Sequence, residues 1–472
     1  MTREGKYPAK AHAAKVLAHF TTLSPASFAP STPAPLFLLA SPRSKLWPFC
    51  DQSQPFRQNR FFYYLSGCNL PDCYLVFDTA TGKLVLYLPE VDKDDVIWSG
   101  MPLSIDEAKA EFDVDDVRYF PFLATDLSAL SPRTVFTIED LAKTADDHTA
   151  LLSSLGSKTA ITAGAPEFLE ALEEARLIKD DYELALMRKA SEISDNAHYK
   201  VMSTLTLASN ETHIHAEFIY HSIRAGSKNQ SYDPICCSGR SCSTLHYIKN
   251  DEPLGGRQLV LLDAGAEWKN YASDVTRTFP IDGNWTTEAL AVYELVAKMQ
   301  AACCERVAPG VEWDSLHLLA HELLIAGFLE LGIFKPGADA DKILASRVSS
   351  AFFPHGLGHT LGMDTHDTAG RANYADPDPM FRYLRIRRKL EAGMVVTVEP
   401  GIYFSPFQIA EWKEKACWAE FVDEDVLDKY WDVGGVRIED DVLVTEDGYE
   451  NFTKITKDPE EISKIIKSGG GL

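Results

Sequence analysis

Apolar residues recur along this chain with two periods. Where the spacing is helical, helices are expected near 9–20, 104–112 and 167–178. A longer helix follows Lys179, with Leu184, Met187, Ala190, Ile193, Ala197 and Met202 on one face. Further helices are expected near 211–225, 286–307 and 312–330. Runs rich in β-branched and aromatic residues predict strands at 36–39, 61–65 and 135–138. Residues 73–89 read as a hairpin around Thr79-Ala80-Thr81-Gly82. Later strands are expected near 258–265, 271–279, 394–399 and 434–445. This order predicts a mixed α/β domain over 1–178 and a second domain over 179–472. Segment 404–433 lies between two strand signals and holds Trp412, Trp418 and Trp431 among many charges. Loops of this length are usually functional or disordered, and three tryptophans argue for order. It reads as an inserted loop or a helical excursion.

Composition narrows the classes. At 472 residues the chain is too long for one ordinary domain, and 45% hydrophobic with 24% charged residues is a globular balance. Lys plus Arg number 46 and Asp plus Glu 69, a formal charge of −23. That sign disfavours nucleic acid and anionic membranes as partners. No apolar run is long enough to span a bilayer. The polar N-terminal segment does not read as a secretory signal, so a cytoplasmic protein is expected. Nine cysteines, with Cys236-Cys237 and Cys303-Cys304 adjacent, fit neither a disulfide framework nor zinc-finger spacing. They are expected to be ordinary buried thiols.

The candidate chemistry lies in the second half. Asp263 ends an apolar strand and Asp274 sits on the next one. With a turn centred on Trp268-Lys269 the two face each other, about 5 Å apart at Cβ. Carboxylates so close repel unless a cation lies between them. The alternative is a hairpin with solvent-facing acids. His355, His359 and His366 fall within one short segment whose glycines, Gly356, Gly358 and Gly362, argue against a regular helix. Each histidine could be a ligand, an acid/base group or polar core. Glu399 ends an apolar strand before Pro-Gly. Alternation puts Arg437 and Glu439 on one strand face, which also suits a simple ion pair. Asp263, Asp274, Glu399, Glu439 and His359 together would balance two divalent cations, and this mostly oxygen donor set suits Mn²⁺, Co²⁺ or Zn²⁺.

These pieces, in order, resemble a known family. SGRSCSTLHY, LLDAGAE, SDVTRTFP, PHGLGHTLGMDTHD, VVTVEPGIYF and GGVRIEDDVLVT are similar to the motifs of the pitta-bread metallopeptidases, a family that includes prolidase, Xaa-Pro aminopeptidase, methionine aminopeptidase and the metal-free creatinase. QPFRQNRFFYYLSG, TGKLVLYLP and WSG resemble the non-catalytic N-terminal domain of eukaryotic prolidase and fungal Xaa-Pro aminopeptidases. The resemblance implies an α+β protein: a C-terminal pitta-bread catalytic domain behind an N-terminal creatinase-like α/β domain. It implies that Asp263 holds one metal, that Asp274 and Glu439 bridge two, and that His359 and Glu399 complete the second. Mn²⁺ is the family expectation. His246 and His366 match histidines that hold substrate and the tetrahedral intermediate. His355 matches another histidine near the metals, and Arg437 an arginine beside the bridging glutamate. Tyr232 and Arg385 match substrate-binding residues, with Arg382 and Arg387 competing for the place of Arg385. Relatives commonly form homodimers.

The expected activity is hydrolysis of the Xaa-Pro bond in a proline-containing di- or oligopeptide. Two cations activate water and polarise the carbonyl, and Glu399 shuttles the proton to the leaving nitrogen. Arg385 and the 404–433 insertion tilt the reading to an Xaa-Pro dipeptidase, through an arginine fork on the substrate carboxylate. The alternative is an Xaa-Pro aminopeptidase with a site open beyond proline.

Overall fold

In the computed structural model, which describes residues 5–138 and 160–469, alternation along strand β1 (Leu36–Ala40) decides the layers of the first unit, Met1–Arg176. Phe37 meets Phe20 of the helix Ala9–Leu23 and Phe168 of the helix Pro166–Leu177, with ring centroids 5.4 and 4.7 Å away. Leu36 and Leu38, on the opposite face, pack with Leu123 and Leu127 of the helix Phe122–Ala129. Strands β2 (Tyr74–Asp78), β3 (Lys83–Leu88), β4 (Asp116–Tyr119), β5 (Val135–Thr137) and β6 (Ile161–Ala163) complete a sheet of order β4-β3-β2-β1-β5-β6. It is antiparallel through β1, β2 and β3, as the predicted hairpin requires, and parallel elsewhere.

The strand expected at 61–65 is instead the helix Arg60–Ser66. The Asn59 side chain accepts a hydrogen bond from the Phe62 N–H, and Gly67 ends the helix in the left-handed region at φ 67°. These two end signals and burial of the intervening aromatics override their strand propensity.

In the second unit, Leu177–Leu472, the long helix runs over Asp181–Thr204 behind a capping box between Asp180 and Glu183. The strands are β7 (Asn229–Gln230), β8 (Ile235–Ser238), β9 (Leu259–Asp263), β10 (Ala266–Glu267), β11 (Thr276–Pro280), β12 (Val395–Val398), β13 (Gly401–Tyr403), β14 (Gly435–Arg437), β15 (Asp440–Val444) and β16 (Tyr449–Asn451). Val260, Leu262, Val396, Val398, Val436 and Val442 join a core with Val296 and Leu324 from the helices Thr287–Cys304 and Trp313–Leu331. By alternation the opposite face carries Asp263, Thr276, Thr397, Arg437 and Glu439. One side of the sheet is packed and the other bears polar groups.

The register of the polar face differs from the sequence expectation. The β9–β11 hairpin turns at Lys269 and Asn270, both with positive φ (49° and 65°), so Trp268 pairs with Tyr271 and Asp263 with Thr276. Asp274 therefore lies diagonal to Asp263, on the same face, rather than directly opposite. A two-residue turn with both central φ positive favours Asn, which was the available cue. The strand expected at 434–445 is split into β14 and β15 by Ile438-Glu439, just as β12 and β13 are split by Glu399-Pro400. Pairing continues in register on both sides of the break, Val398 with Asp440 and Gly401 with Arg437, which sets Glu399 opposite Glu439. Thr276 bridges to Glu439 on its other side. Asp263, Thr276, Glu439 and Glu399 thus form one row across neighbouring strands.

Segment 404–433 is a helical excursion, Pro406–Lys413, Ala416–Phe421 and Glu424–Leu427, with Trp412 and Trp418 buried. All nine cysteines are free; Cys50 is exposed and Cys417 half-buried, the rest buried. Among the described residues no helix is long and apolar enough to cross a membrane.

Gly265 faces Asp274 across the hairpin, and a Cβ there would lie 1.8 Å from the Ser273 carbonyl oxygen. Gly265→Ala should cost about 1–3 kcal/mol of stability, because backbone must move. Urea unfolding measures this; an unchanged midpoint would refute the packing.

Candidate metal centre

Alternation and the strand breaks deliver the acids to one buried patch. Asp263, Asp274 and Glu439 are 8%, 5% and 2% exposed. The Asp263 carboxylate accepts from the Tyr232 hydroxyl at Oδ1 (2.5 Å) and from Arg437 at Oδ2 (2.5 Å). Arg437 also donates to Thr276 Oγ1 (3.1 Å) and to the Tyr403 hydroxyl (2.8 Å). Thr276 donates to Glu439 Oε2 (2.6 Å). The Asp274 N–H is held by Asp441 Oδ1 (3.0 Å), whose carboxylate also accepts from Ser191 (2.7 Å).

His359 enters from an irregular segment that docks beside β12. Its carbonyl accepts from the Thr397 N–H, and its own N–H donates to Thr397 Oγ1. Gly358 permits this approach, since a Cβ there would sit 2.0 Å from the Thr397 carbonyl oxygen. Burial holds the imidazole below its usual pKa, so it is neutral. Nδ1 lies 3.1 Å from the Thr360 carbonyl oxygen, which places the single proton there. Nε2 is left as a lone pair, 3.3 Å from Asp274 Oδ2 and 3.4 Å from Glu399 Oε1.

This convergence tests whether a cation fits. Ligand atoms of Asp274, His359 and Glu439 lie within 4.8 Å of one another. All are acceptors, with no donor among them unless a carboxyl is protonated. Burial, then Asp263, pushes the Asp274 carboxyl well above the usual range; burial, then Asp274, does the same to Glu439. Glu399 is pushed up to about 7 by burial, against the pull of His359. Oxygen donors with one imidazole, short of positive charge, fit divalent metal, and the cluster is consistent with a dinuclear centre.

The other predicted residues surround this patch. His355 is pulled down to about 3 by burial and by Arg437. Its Nδ1 meets the Gly356 carbonyl oxygen and its Nε2 the Tyr403 hydroxyl, each at 2.8 Å. The ring of His366 meets that of His359 edge-on at 4.4 Å. His366 is pulled down to about 2, first by partial burial and then by His359 and Arg385. His246 is exposed at the rim, lowered by partial burial and by Arg437. Arg385 donates to the Tyr374 hydroxyl (3.1 Å), and its positive field falls on His246, His359 and His366. Its two competitors are engaged elsewhere: Arg387 with Asp314 and Asp376, and Arg382 with the Asp376 carbonyl oxygen. Sequence reasoning missed Thr276, Thr397 and Tyr403. Thr276 stands two residues after Asp274 on the same strand face, Thr397 two before Glu399, and Tyr403 four after it; alternation could have found all three.

Comparison with known proteins places the chain in a family. The profile of metallopeptidase family M24 matches residues 185–446, and that of the aminopeptidase P N-terminal domain matches 14–136. The chain is 49% identical to an uncharacterised peptidase of Saccharomyces cerevisiae, over 99% of this chain and 85% of the yeast protein. It is 47% identical to a probable Xaa-Pro aminopeptidase of Fusarium vanettenii, over 98% of both. The structure of E. coli aminopeptidase P with the inhibitor Pro-Leu is similar, with a TM-score of 0.81 at 28% identity, over 99% of this chain and 100% of the other.

Glu399 binds its proton between 4.5 and about 7 in the folded protein but not in the unfolded chain. Its contribution is therefore present below about pH 4.5 and lost as pH rises towards 7. Metal-free protein should lose stability over this window relative to its Glu399→Gln variant, and saturating Mn²⁺ should remove the difference in slope. Parallel melting-temperature profiles for the two metal-free proteins would contradict it.

Proposed function

The chain belongs to metallopeptidase family M24, as a pitta-bread-fold member with an aminopeptidase P type N-terminal domain, and from that membership we propose that it is an Xaa-Pro aminopeptidase. The coarser activity, a dinuclear-metal Xaa-Pro exopeptidase, follows from the family and from the convergent acids and imidazole. The finer reading rests on the relatives. The Fusarium vanettenii relative and the E. coli enzyme of similar structure carry the name aminopeptidase, which favours this reading over the dipeptidase to which the sequence alone inclined.

In this reading residues 179–472 carry the catalysis and 1–178 form the non-catalytic domain. Asp263 would help hold one cation, His359 and Glu399 would help hold the other, and Asp274 and Glu439 would serve both. Mn²⁺ is the proposed metal, and a cytoplasmic homodimer the proposed form. When bound, the cations supply Lewis acidity to water and to the scissile carbonyl. Glu399 takes the proton of the attacking water and delivers it to the proline nitrogen. That nitrogen carries no N–H in the substrate, so the proton must be supplied as the bond breaks. His246 and His366 donate to oxygens that gain charge in the tetrahedral state. Tyr232, Tyr403 and His355 fix Asp263 and Arg437 so that the acids keep their places.

A rate assay after Mn²⁺ loading on Ala-Pro, Ala-Pro-amide and Ala-Pro-Ala-Ala tests the proposal. Comparable or faster cleavage of the tetrapeptide is expected; cleavage confined to Ala-Pro would return the dipeptidase reading. Asp274→Asn and Glu439→Gln should abolish turnover with the fold retained, and full activity in either would sink the bridging roles. Arg385→Ala should lower turnover of Ala-Pro and of the tetrapeptide by similar factors, whereas a loss confined to Ala-Pro would mark Arg385 as a clamp on the carboxylate.

A further inference from the structure

Asp367 closes the histidine segment, and its carboxylate is held away from solvent. The side chains of Asp367 and Lys179 are each 1% exposed, with Lys179 Nζ 3.1 Å from Asp367 Oδ2. Lys179 is itself fixed: Nζ donates to the Leu177 carbonyl oxygen (3.2 Å) and its N–H to that of Gly393 (2.9 Å). On the loop side, the Asp367 N–H donates to the Thr360 carbonyl oxygen (2.8 Å), and Thr360 Oγ1 donates to that of Asp367 (2.7 Å). Thr360 and Asp367 are thereby stapled together. His359 stands directly before the staple and His366 inside it, directly before Asp367. The loop closes tightly on the carboxylate, since a Cβ on Gly362 would lie 2.1 Å from Asp367 Oδ2.

A buried ion pair is weak grounds for stability, because apolar residues of similar volume often serve as well. What the ion pair supplies here is direction: a lysine held by its ammonium on Leu177 and by its backbone N–H on Gly393 sets where Asp367 lies, and Asp367 sets the staple. We propose that the Lys179–Asp367 pair is a positioning clamp that holds His366 against His359 for the peptidase reaction. The clamp rests on the peptidase reading for its consequence in turnover, and on geometry alone for its effect on the loop. Lys179 is a positioning residue, acting through the loop.

The test uses the whole chain as Lys179→Met, Lys179→Arg and the double variant Lys179→Met/Asp367→Asn, which removes both charges of the pair. Two readouts are taken: kcat and KM on Ala-Pro-Ala-Ala, and hydrogen exchange of the 360–368 backbone. Lys179→Met and the double variant should lose about 10- to 100-fold in kcat, the range typical of groups that orient ligands, with KM within about threefold. Exchange in 360–368 should rise while the helix Trp313–Leu331 keeps its protection. Lys179→Arg should recover most of both. If Lys179→Met does not fold, the double variant decides. A double variant with wild-type kcat and wild-type exchange would overturn the clamp. A wild-type protein inactive on all the peptides would defeat the peptidase reading, and exchange would still judge the clamp.

Discussion

Four carboxylates brought together in a buried patch repel one another, and the surrounding structure answers that repulsion. Facing carboxylates about 5 Å apart oppose each other by roughly 3 kcal/mol at an effective dielectric near 20. Arg437 is the guanidinium in contact with the patch, and it is committed to Asp263, Thr276 and Tyr403. The remaining acids can keep protons, which is the direction of their pKa shifts, or share divalent cations. The neutral His359 lone pair turned toward Asp274 and Glu399 selects the second solution, because a donor is what that point lacks.

The two faces of the sheet divide the work. Under the helices, Arg277 and Asp440 form an ion pair with no exposed side-chain surface, joined by Gln300 and Lys457. Arg277 donates to the carbonyl oxygens of Thr276 (2.9 Å) and Glu439 (2.8 Å). It therefore fixes the backbone of two members of the row from behind, while in front Arg437 fixes the Thr276 side chain, which in turn donates to Glu439. The break at Ile438-Glu439 opens β14–β15 without losing register, because the strand is anchored from both faces.

How much of this was legible follows from how each signal is encoded. The acids at strand ends and the histidine segment were readable because burying a carboxylate at the end of an apolar run needs a reason, and the motif order supplied one. The helix at Arg60–Ser66 was missed because four aromatics outvoted its Asn and Gly ends. The placing of Asp263 opposite Thr276 turned on a single residue of turn geometry at Asn270, which period-2 patterning does not resolve. Thr276 and Tyr403 carry no signature as ligands; their importance comes from alternation relative to acids already found. Lys179 and Asp367 meet across 188 positions, and no local pattern joins them.

The histidine segment shows why irregular backbone serves better here than a helix. A helix would put His355 and His359 one turn apart on one face. The structure instead turns them differently: His355 meets Tyr403, with Glu399 at 3.8 Å, and His359 faces Asp274 and Glu399. It does so by pressing backbone against β12, with a bridge from Thr360 to Val396 and with Gly358 against the Thr397 carbonyl oxygen. Such a segment has no helical ladder to hold it, so its rigidity must come from cross-links: Thr397 to His359, Thr360 to Asp367, Asp367 to Lys179. Donors aimed at developing charge work only if they need not reorganise when the charge appears. The loop is therefore stapled at both ends of the stretch that carries His359 and His366, and in the proposed reaction its rigidity would matter as much as its histidines.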